Sequence, residues 1–378
     1  MGFGTLALVG AAGLLGPLLA LRSWHVPIVL GELVAGIVLG STWLGWLDPT
    51  EPTFVFLADI GFALVMFVAG SHVPIRNPAL RHGIWRGLGR AAAVGLIAAP
   101  LGVGIAELFG TGNAMLYAVL MASSSAALIL PIVDSLHLAG PGVLELLPQV
   151  AIADTACIVI LPVVIDPTHA LRAALGAGAV VAAALTIWAL LGFFERHGIR
   201  ARVHRTSERR KFALELRISL TLLFTLAAVA ASAHVSIMLA GFAFGLVVAS
   251  IGEPRRLAKQ LFAITEGFLG PLFFIWLGAS LQVRELTEHP WLALLGVLLA
   301  VGAVLAHVAM NITGQPLAIG LLASAQLGVP IGAAALATQL NLLAPGEASA
   351  LILGAMLTIA GAIGAAALMA RPKKHLPP

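Results

Sequence analysis

Residues 3–21 read FGTLALVGAAGLLGPLLAL, an uncharged run close to the roughly 20 residues that an α-helix needs to cross a bilayer. The run has the composition of a signal-peptide core, but no basic residue precedes it and no small-residue cleavage site clearly ends it. It therefore predicts the first of several membrane-spanning helices rather than a leader that is removed.

The remainder of the chain repeats this pattern. The 378 residues are 60% hydrophobic and only 10% charged, with a mean hydropathy of +1.03. Soluble domains carry about 25% charged residues. Comparable apolar stretches recur as far as Met369, separated by short loops that contain Gly, Pro and charge. The composition predicts an all-α polytopic membrane protein, with residues 1–378 forming a single membrane domain.

Segmentation of the apolar stretches predicts about thirteen transmembrane helices. They are centred near residues 13, 36, 65, 95, 125, 154, 182, 224, 244, 274, 301, 327 and 359. The longest polar segment, residues 195–211, leaves six helices on each side when the seventh helix is treated as a crossover. We therefore expect two six-helix inverted repeats, with a binding site near the midplane where interrupted helices meet.

The basic residues are distributed very unevenly between alternate loops. Of the 21 Lys and Arg residues, all but Arg172 and Arg284 fall in one set of loops, or in the C-terminal tail. The positive-inside rule places that set in the cytoplasm. We expect a bacterial inner-membrane protein with its N-terminus outside and its C-terminus in the cytoplasm. The net charge of +4 then comes from basic residues in loops that flank the membrane and indicate its orientation. We therefore expect no nucleic acid partner.

Asp154 lies at the centre of the sixth predicted helix, within QVAIADT at residues 149–155. An acidic residue at that depth costs roughly 2.5 to 3.5 kcal/mol on insertion scales. A structural carboxylate bonded to neighbouring hydroxyls is the simpler explanation, but acids at mid-membrane usually line ion pathways. The position predicts that Asp154 binds a monovalent cation or a proton, and Thr155 is a further candidate ligand.

Two similar motifs, ASSS ending at Ser125 and ASAQ ending at Gln326, each precede a proline in the fifth helix of their half. The hydroxyls of Ser123, Ser124 and Ser125 either bond to their own helix or, where the helix opens, ligate a cation. The pairing favours two discontinuous helices, interrupted near residues 123–125 and 326–330, that cross close to the sixth helix. Gln326 is the candidate ligand from the second half, although an interhelical hydrogen bond would also explain it.

His307, in the eleventh predicted helix, is a candidate accessory titrating residue. A lone intramembrane histidine is about as often a hydrogen-bonded packing residue, so both roles stay open. No Lys follows a Gly anywhere in the chain, which excludes a nucleotide-binding G-x-x-x-x-G-K-[ST] loop. We expect no enzymatic activity and no cofactor, only Na⁺ or K⁺ and H⁺ as transported ions.

Four motifs taken together resemble the monovalent cation/proton antiporter superfamily. They are GELVAGIVLG at residues 31–40, DIG at 59–61 leading into FVAG at 67–70, the serine segment ending in VDS at 133–135, and PLFFIWLG at 271–278. In this order and spacing they are most similar to the branch that contains Kef-type potassium systems and Nap-type sodium/proton exchangers.

The resemblance implies the thirteen-helix antiporter fold. Residues 83–165 and 290–370 would form an ion-transport core, and residues 1–80 and 170–282 a scaffold through which the chain forms a homodimer. Asp154 falls on the essential aspartate of the family. The preceding position, usually Asp, Asn or Gln, is Ala153, and no Lys or Arg lies between Arg284 and Arg371 to pair with the aspartate. His307 is the nearest substitute.

One titratable acid implies one-for-one, electroneutral exchange of a cation for a proton. The Kef-type systems also carry a cytoplasmic nucleotide-sensing domain, which we expect to be absent here or to lie on a separate regulatory subunit. A gated potassium efflux pathway is one alternative. The other is a transport-inactive membrane sensor, which Ala153 and the missing basic residue would favour.

Overall fold

The computed structural model describes residues 1–19, 28–73, 75–76, 78–135, 141–198, 212–233, 235–252 and 255–370. Within these ranges the chain is helical and contains no β-strand. The helices are, in chain order, α1 Phe3–Gly13, α2 Leu15–Leu19, α3 Ile28–Leu39, α4 Pro52–Ser71, α5 Pro78–Phe109, α6 Ala114–Ala122, α7 Ala126–Ser135, α8 Pro141–Ile165, α9 Ala170–Arg196, α10 Leu214–Ser232, α11 Ile237–Ile251, α12 Arg255–Ile264, α13 Gly270–Ser280, α14 Arg284–Glu288, α15 Pro290–Val308, α16 Leu317–Ala323, α17 Gly328–Leu340 and α18 Glu347–Ala370.

Nine helical stretches of the described ranges are long and apolar enough to cross a membrane, and two shorter apolar helices, Phe3–Leu18 and Ile237–Ile251, accompany them. The predicted class, an all-α polytopic membrane protein, is confirmed. The count of about thirteen spans stays a prediction. Most of the predicted polar loop at 195–211 and the basic tail from Arg371 lie outside the described residues.

The first predicted span is two helices rather than one. Its helix stops at Gly13 and resumes at Leu15, with Leu14 as a turn between them. Pro17 explains the break, because proline has no N–H to donate to the Gly13 carbonyl and its ring crowds that carbonyl. A single continuous helix over residues 3–21 was therefore wrong in detail.

The tenth predicted span is also irregular. A π-helical turn, Thr265–Leu269, joins α12 to α13, and the Gly270 N–H donates to the Thr265 carbonyl five residues back. Pro271 follows directly, and a proline in a helix removes the usual donor to the residue four positions earlier. Widening one turn is a known way to accommodate such an interruption.

The chain divides into two compact units, each built from two stretches of sequence. Unit 1 contains Met1–Arg76 and Asp166–Arg284, and unit 2 contains Asn77–Ile165 and Glu285–Pro378. Unit 1 therefore holds α1 to α4 and α9 to α13. Unit 2 holds α5 to α8 and α15 to α18, including both predicted helix breaks.

In unit 1, α3 and α13 cross with their backbones in direct contact. A methyl group placed on Gly36 would lie 2.2 Å from the Ile275 carbonyl oxygen, and one placed on Gly278 would lie 2.2 Å from the Leu33 carbonyl oxygen. Small residues allow such close approach where lipid supplies no hydrophobic drive between helices. The glycines of GELVAGIVLG and PLFFIWLG are therefore packing positions.

The helices α4 and α11 repeat this arrangement. A methyl group on Gly70 would lie 2.3 Å from the Phe242 carbonyl oxygen, and one on Gly245 would lie 2.3 Å from the Phe67 carbonyl oxygen. Gly70 ends the FVAG motif. Two glycine-mediated crossings thus hold much of unit 1 together.

Unit 2 has a continuous apolar core around its short helices. Buried side chains of α7 and α16 pack there with residues of α8 and α18. The cluster comprises Ala126, Ile129, Val133, Val143, Leu146, Val150, Ile319, Leu322, Ala323, Ala325, Ala362 and Ala366. This packing fixes the two short helices against long neighbours, which isolated helices of that length require because short helices are marginal alone.

Gly36→Ala should destabilise the protein, because its new methyl group overlaps a backbone carbonyl that no rotamer change can move. Overpacking of this kind costs about 1 to 3 kcal/mol. Gly178→Ala is the matched control, since Gly178 lies inside α9 with open space around it and alanine favours a helix by up to about 1 kcal/mol. Thermal unfolding of the purified variants measures both. Equal melting temperatures for the two variants would contradict the close α3–α13 contact.

Candidate functional site

Asp154 lies in the middle of α8 and is almost completely buried, with 3% of its surface exposed. Its Oδ2 atom accepts a hydrogen bond from the Ala126 N–H at 3.0 Å. Its Oδ1 atom is buried and has no hydrogen-bond partner among the described residues. A buried polar atom without a partner calls for an explanation, and an ion or proton that binds there is one.

The first helix break lies beside this carboxyl group. The helix α6 ends at Ala122, α7 begins at Ala126, and Ser123 is extended with φ −72° and ψ 156°. The serines 123–125 that form the break are all buried. The structure thus interrupts this helix where the sequence predicts.

The second break lies between α16 and α17, at residues 324–327. The predicted position, residues 326–330, was too late in the chain. Pro330 occupies the first turn of α17, where the backbone N–H groups have no intrahelical partner and proline is tolerated. The proline starts the second half-helix instead of breaking the first. Gln326 does lie in the break, and it is buried.

The two breaks are joined by reciprocal hydrogen bonds. The Ser124 hydroxyl donates to the Ala323 carbonyl, at the end of α16. The Gln326 Nε2 donates to the Leu120 carbonyl, near the end of α6, at 2.7 Å. The last carbonyls of a helix have no intrahelical partner, and each break donates a side-chain hydrogen bond to the helix end at the other break. The predicted residues Ser124 and Gln326 are therefore brought together.

The carboxyl group lies at the start of the half-helix α7. Ala126 is the first residue of α7, and its N–H is the one that binds Asp154. A helix N-terminus carries partial positive charge and stabilises an anion. Ser125 precedes it and accepts the Ile129 N–H on its backbone carbonyl at 3.0 Å. The break thus supplies the electrostatic support for a charged Asp154.

The other predicted ligands have lesser contacts. The Ser123 hydroxyl donates to the Leu120 carbonyl of its own helix at 2.8 Å, which is the simpler of its two predicted roles. Thr155 is half-buried, and it points about 100° around α8 from Asp154 because an α-helix has 3.6 residues per turn. Among the described residues it makes no hydrogen bond.

His307 is buried near the end of α15. Its Nδ1 atom lies 2.9 Å from the Ala303 carbonyl oxygen, so this nitrogen carries a proton. In the part of the chain that the structure describes, no hydrogen bond or ion pair connects His307 with Asp154. This geometry is that of a hydrogen-bonded packing residue, the simpler of the two predicted roles of His307.

One polar pair near the site was missed from the sequence. Gln315 Nε2 donates to Gln149 Oε1 at 2.8 Å, and both side chains are buried. The remaining amide atoms, Gln149 Nε2 and Gln315 Oε1, have no partner among the described residues. Gln149 lies five residues before Asp154 on α8, so the rule that singles out polar residues in apolar spans could have found it. The bond fixes α8 to the segment that precedes α16.

An ion-pair cluster supports the same segment. Arg90 Nη1 lies 2.8 Å from Glu145 Oε2, and Arg90 Nε donates to the Thr313 hydroxyl at 3.0 Å. Arg86 adds a second guanidinium group on Glu145. The cluster borders a cavity of about 630 Å³. Its two arginines were interpreted from the sequence only as loop charges that indicate orientation.

A further buried carboxylate holds the far end of α6. Glu347, the first residue of α18, accepts hydrogen bonds from Asn113 Nδ2 at 2.7 Å and from the Tyr117 hydroxyl at 2.5 Å. Its other oxygen accepts the Ala344 N–H at 3.1 Å. The half-helix α6 is thus anchored at both ends, by Glu347 at its start and by the break at its end.

A family model described as "Sodium/hydrogen exchanger, transmembrane" matches residues 9–370. The chain belongs to the sodium/hydrogen exchanger family. This exchanger is similar to the Probable Na(+)/H(+) antiporter 3 of Methanocaldococcus jannaschii, with 26% identity over 347 residues and 85% of each chain covered. It is also similar to the Na(+)/H(+)-K(+) antiporter GerN of Bacillus cereus, with 22% identity over 279 residues, covering 73% of this chain and 70% of GerN.

A solved structure resembles the exchanger over almost its whole length. It is the sodium proton antiporter MjNhaP1 from Methanocaldococcus jannaschii at pH 8, with a TM-score of 0.67, 16% sequence identity and 97% of each chain covered. At this identity the likeness establishes the fold. The match to the family model over residues 9–370 confirms the superfamily that the sequence motifs predict.

Ser124→Ala should destabilise the exchanger more than Ser123→Ala. The first change leaves the Ala323 carbonyl buried without its donor, which costs about 1 to 3 kcal/mol. The second leaves the Leu120 carbonyl with the Gln326 donor and the Ser123 N–H, which also bonds to it at 3.0 Å. Melting temperatures of the two purified variants make the comparison. A larger loss from Ser123→Ala would refute the reciprocal arrangement.

Proposed function

We propose that this exchanger is a secondary active antiporter of a monovalent cation, Na⁺ or K⁺, against protons, with Asp154 as the shared site. The observation that carries the proposal is the Asp154 carboxyl group itself. One oxygen is held by the first N–H of α7, and the other is buried and has no hydrogen-bond partner among the described residues beside the two joined helix breaks. Exchange of a cation for a proton at one carboxylate needs one oxygen that is held in place and another that can bind the ion.

Competition at Asp154 follows from the cost of a buried charge. A carboxylate moved away from water is stable only when a proton or a counter-ion neutralises it. A cation bound at Oδ1 favours the charged form, and a proton removes the charge that attracts the cation. The two ligands therefore exclude each other at one site, which is the requirement for exchange.

The remaining oxygen ligands would come from the breaks. A carbonyl oxygen has two lone pairs, so the Leu120 and Ala323 carbonyls can each accept a hydrogen bond and still face a cation. We place the Ser124 and Ser125 hydroxyls and the Gln326 amide oxygen in the same candidate set. Ser123 and Thr155 are weaker candidates, because Ser123 bonds to its own helix and Thr155 points to another face of α8.

The proposed mechanism is alternating access between two units with different roles. Residues 83–165 and 290–370, which lie in unit 2, would carry the ion, and residues 1–80 and 170–282, most of which lie in unit 1, would form the scaffold and the homodimer contact. The two breaks occupy the fifth helix of each proposed six-helix repeat, as inverted repeats with a midplane site require. The thirteen-span count belongs to this proposal.

Ion choice and regulation are proposed from the relatives. Their names give sodium and protons and, for GerN, also potassium. We propose a Kef/Nap-type exchanger of Na⁺ or K⁺, with a separate subunit as its candidate regulator. The basic loops place the N-terminus outside and the C-terminus in the cytoplasm of a bacterial inner membrane. A transport-inactive sensor is the second candidate function, because Ala153 lacks the polar side chain that the family usually has at this position.

Asp154→Asn should abolish cation-dependent proton flux in vesicles that contain the purified protein, tested with Na⁺, K⁺ and Li⁺. The melting temperature should not fall, because asparagine has a similar volume, still accepts the Ala126 N–H and removes a costly buried charge. Glu107→Gln is the matched control, since Glu107 is an exposed acid on α5 of the same unit, and it should retain flux. If Asp154→Asn retained the wild-type flux, Asp154 would not be the site. If the wild-type protein itself showed no flux with any of the three cations, the transport-inactive sensor would be favoured.

Exchange should be insensitive to membrane potential if one proton replaces one cation. A net charge that crosses about 100 mV gains about 2.3 kcal/mol, which would shift the cation gradient at equilibrium roughly fiftyfold. We expect the final gradient in vesicles to follow the pH gradient alone. A potential-driven shift would refute one-for-one exchange. If His307→Gln removed that shift, His307 would be the second titrating group.

A further inference from the structure

Arg172 is an unusual residue for its position. It is one of two basic residues in the loops that hold few positive charges, and it lies in the first turn of α9. The partial positive charge of a helix N-terminus disfavours a cation there. Arg172 makes no hydrogen bond or ion pair with any residue that the structure describes. The described residues thus offer no hydrogen bond or ion pair that compensates this charge.

Arg284, the other basic residue of those loops, is different. Its Nη2 atom donates to the Thr42 carbonyl at 3.2 Å, which ties α14 to the loop after α3 within unit 1. A structural contact therefore explains Arg284. Arg172, by contrast, is exposed and has no such contact with the described residues, so its guanidinium group can bind a group from outside the chain.

A groove in unit 1 begins at Arg172. It has a volume of about 580 Å³ and lies along α9, with Ser232 at the end of α10 and the following residue Ala233 as its opposite wall. Its mouth is polar, with Thr168 and His169 beside Arg172.

Farther along α9 the lining is apolar, with Leu175, Gly176 and Ala179, and Leu171 adds an apolar side chain next to Arg172. Arg172 and Ala179 are about 10 Å apart along the helix axis, at 1.5 Å per residue. The groove therefore runs from the end of a membrane span toward its interior. The groove is polar at the end of the membrane span and apolar toward its interior. This order matches the polar headgroup and the apolar acyl chains of a phospholipid.

The acid closest in sequence is already engaged. Asp166 accepts hydrogen bonds from the Thr168 hydroxyl at 2.5 Å and from His169 Nδ1 at 2.8 Å. These bonds lower the pKa of Asp166, so it stays charged and committed to them. An ammonium headgroup would bring a second cation beside Arg172 with no free acid to meet it. A headgroup with net negative charge balances Arg172 instead.

We propose that this groove, the Arg172 groove, binds an anionic phospholipid. The phosphate accepts hydrogen bonds from the Arg172 guanidinium group, which suits phosphate geometry. One acyl chain covers Leu171 and Leu175, whose side chains are 75% and 68% exposed. The bound lipid belongs to unit 1 and does not depend on the assignment of Asp154.

The test is lipid titration of the purified full chain in detergent, followed by melting temperature and by lipid retention in native mass spectrometry. Phosphatidylglycerol should raise the melting temperature and stay bound, whereas phosphatidylcholine should do so only at much higher concentration. Arg172→Gln should weaken the phosphatidylglycerol response roughly tenfold or more, because it loses charge-assisted hydrogen bonds to phosphate.

Two further variants separate charge from shape. Ala179→Trp fills the apolar part of the groove and keeps the arginine, so it should also weaken the response. Arg284→Gln removes an equal charge outside the groove, so its starting stability can fall while its lipid response stays that of the wild type. Arg172→Gln or Ala179→Trp with a wild-type response would overturn the proposal.

Two other results would replace the lipid with a different occupant. Inorganic phosphate that reproduces the stabilisation alone would show a free-anion site with no role for the apolar groove. Arg172→Gln that converts a dimer to a monomer in lipid-free detergent would show that a second copy of the chain covers the groove. Either outcome overturns the proposal.

Discussion

A helix that is interrupted inside a membrane must satisfy the backbone groups that its break sets free, because hydrocarbon supplies no hydrogen bonds. Unit 2 meets this constraint by placing one break against another. Ser124 satisfies the end of α16, and Gln326 satisfies the end of α6. Each break thus donates a hydrogen bond to the other, so the crossing and the irregular backbone form a single structural unit.

The same constraint places the acidic residue. The start of α7 exposes backbone N–H groups, and the Asp154 carboxyl group accepts the first of them. The interruption therefore supplies the positive end of a helix dipole to a charge that would otherwise be very costly at this depth. The second oxygen, Asp154 Oδ1, has no hydrogen-bond partner among the described residues, and we propose that it binds the transported ion.

The sequence predicted the class and part of the site for physical reasons. Membrane spans are readable because apolar residues must be contiguous, and polar residues such as Asp154 and Ser124 stand out against them. The second break was placed too late because Pro330 suits a first turn as well as an interruption. The bond between Gln149 and Gln315 could not be predicted, because neither residue is charged and 166 positions separate them. Such pairings depend on tertiary structure.

The glycine crossing between α3 and α13 has a consequence for biosynthesis. Gly36 is translated early, but the carbonyl that it packs against belongs to Ile275, in the last third of the chain. Domains generally assemble from the N-terminus as synthesis proceeds, and helices that are already inserted associate later within the bilayer. Gly36 therefore cannot pack against Ile275 until α13 has been synthesised, so this backbone contact forms late although one half of it is translated early.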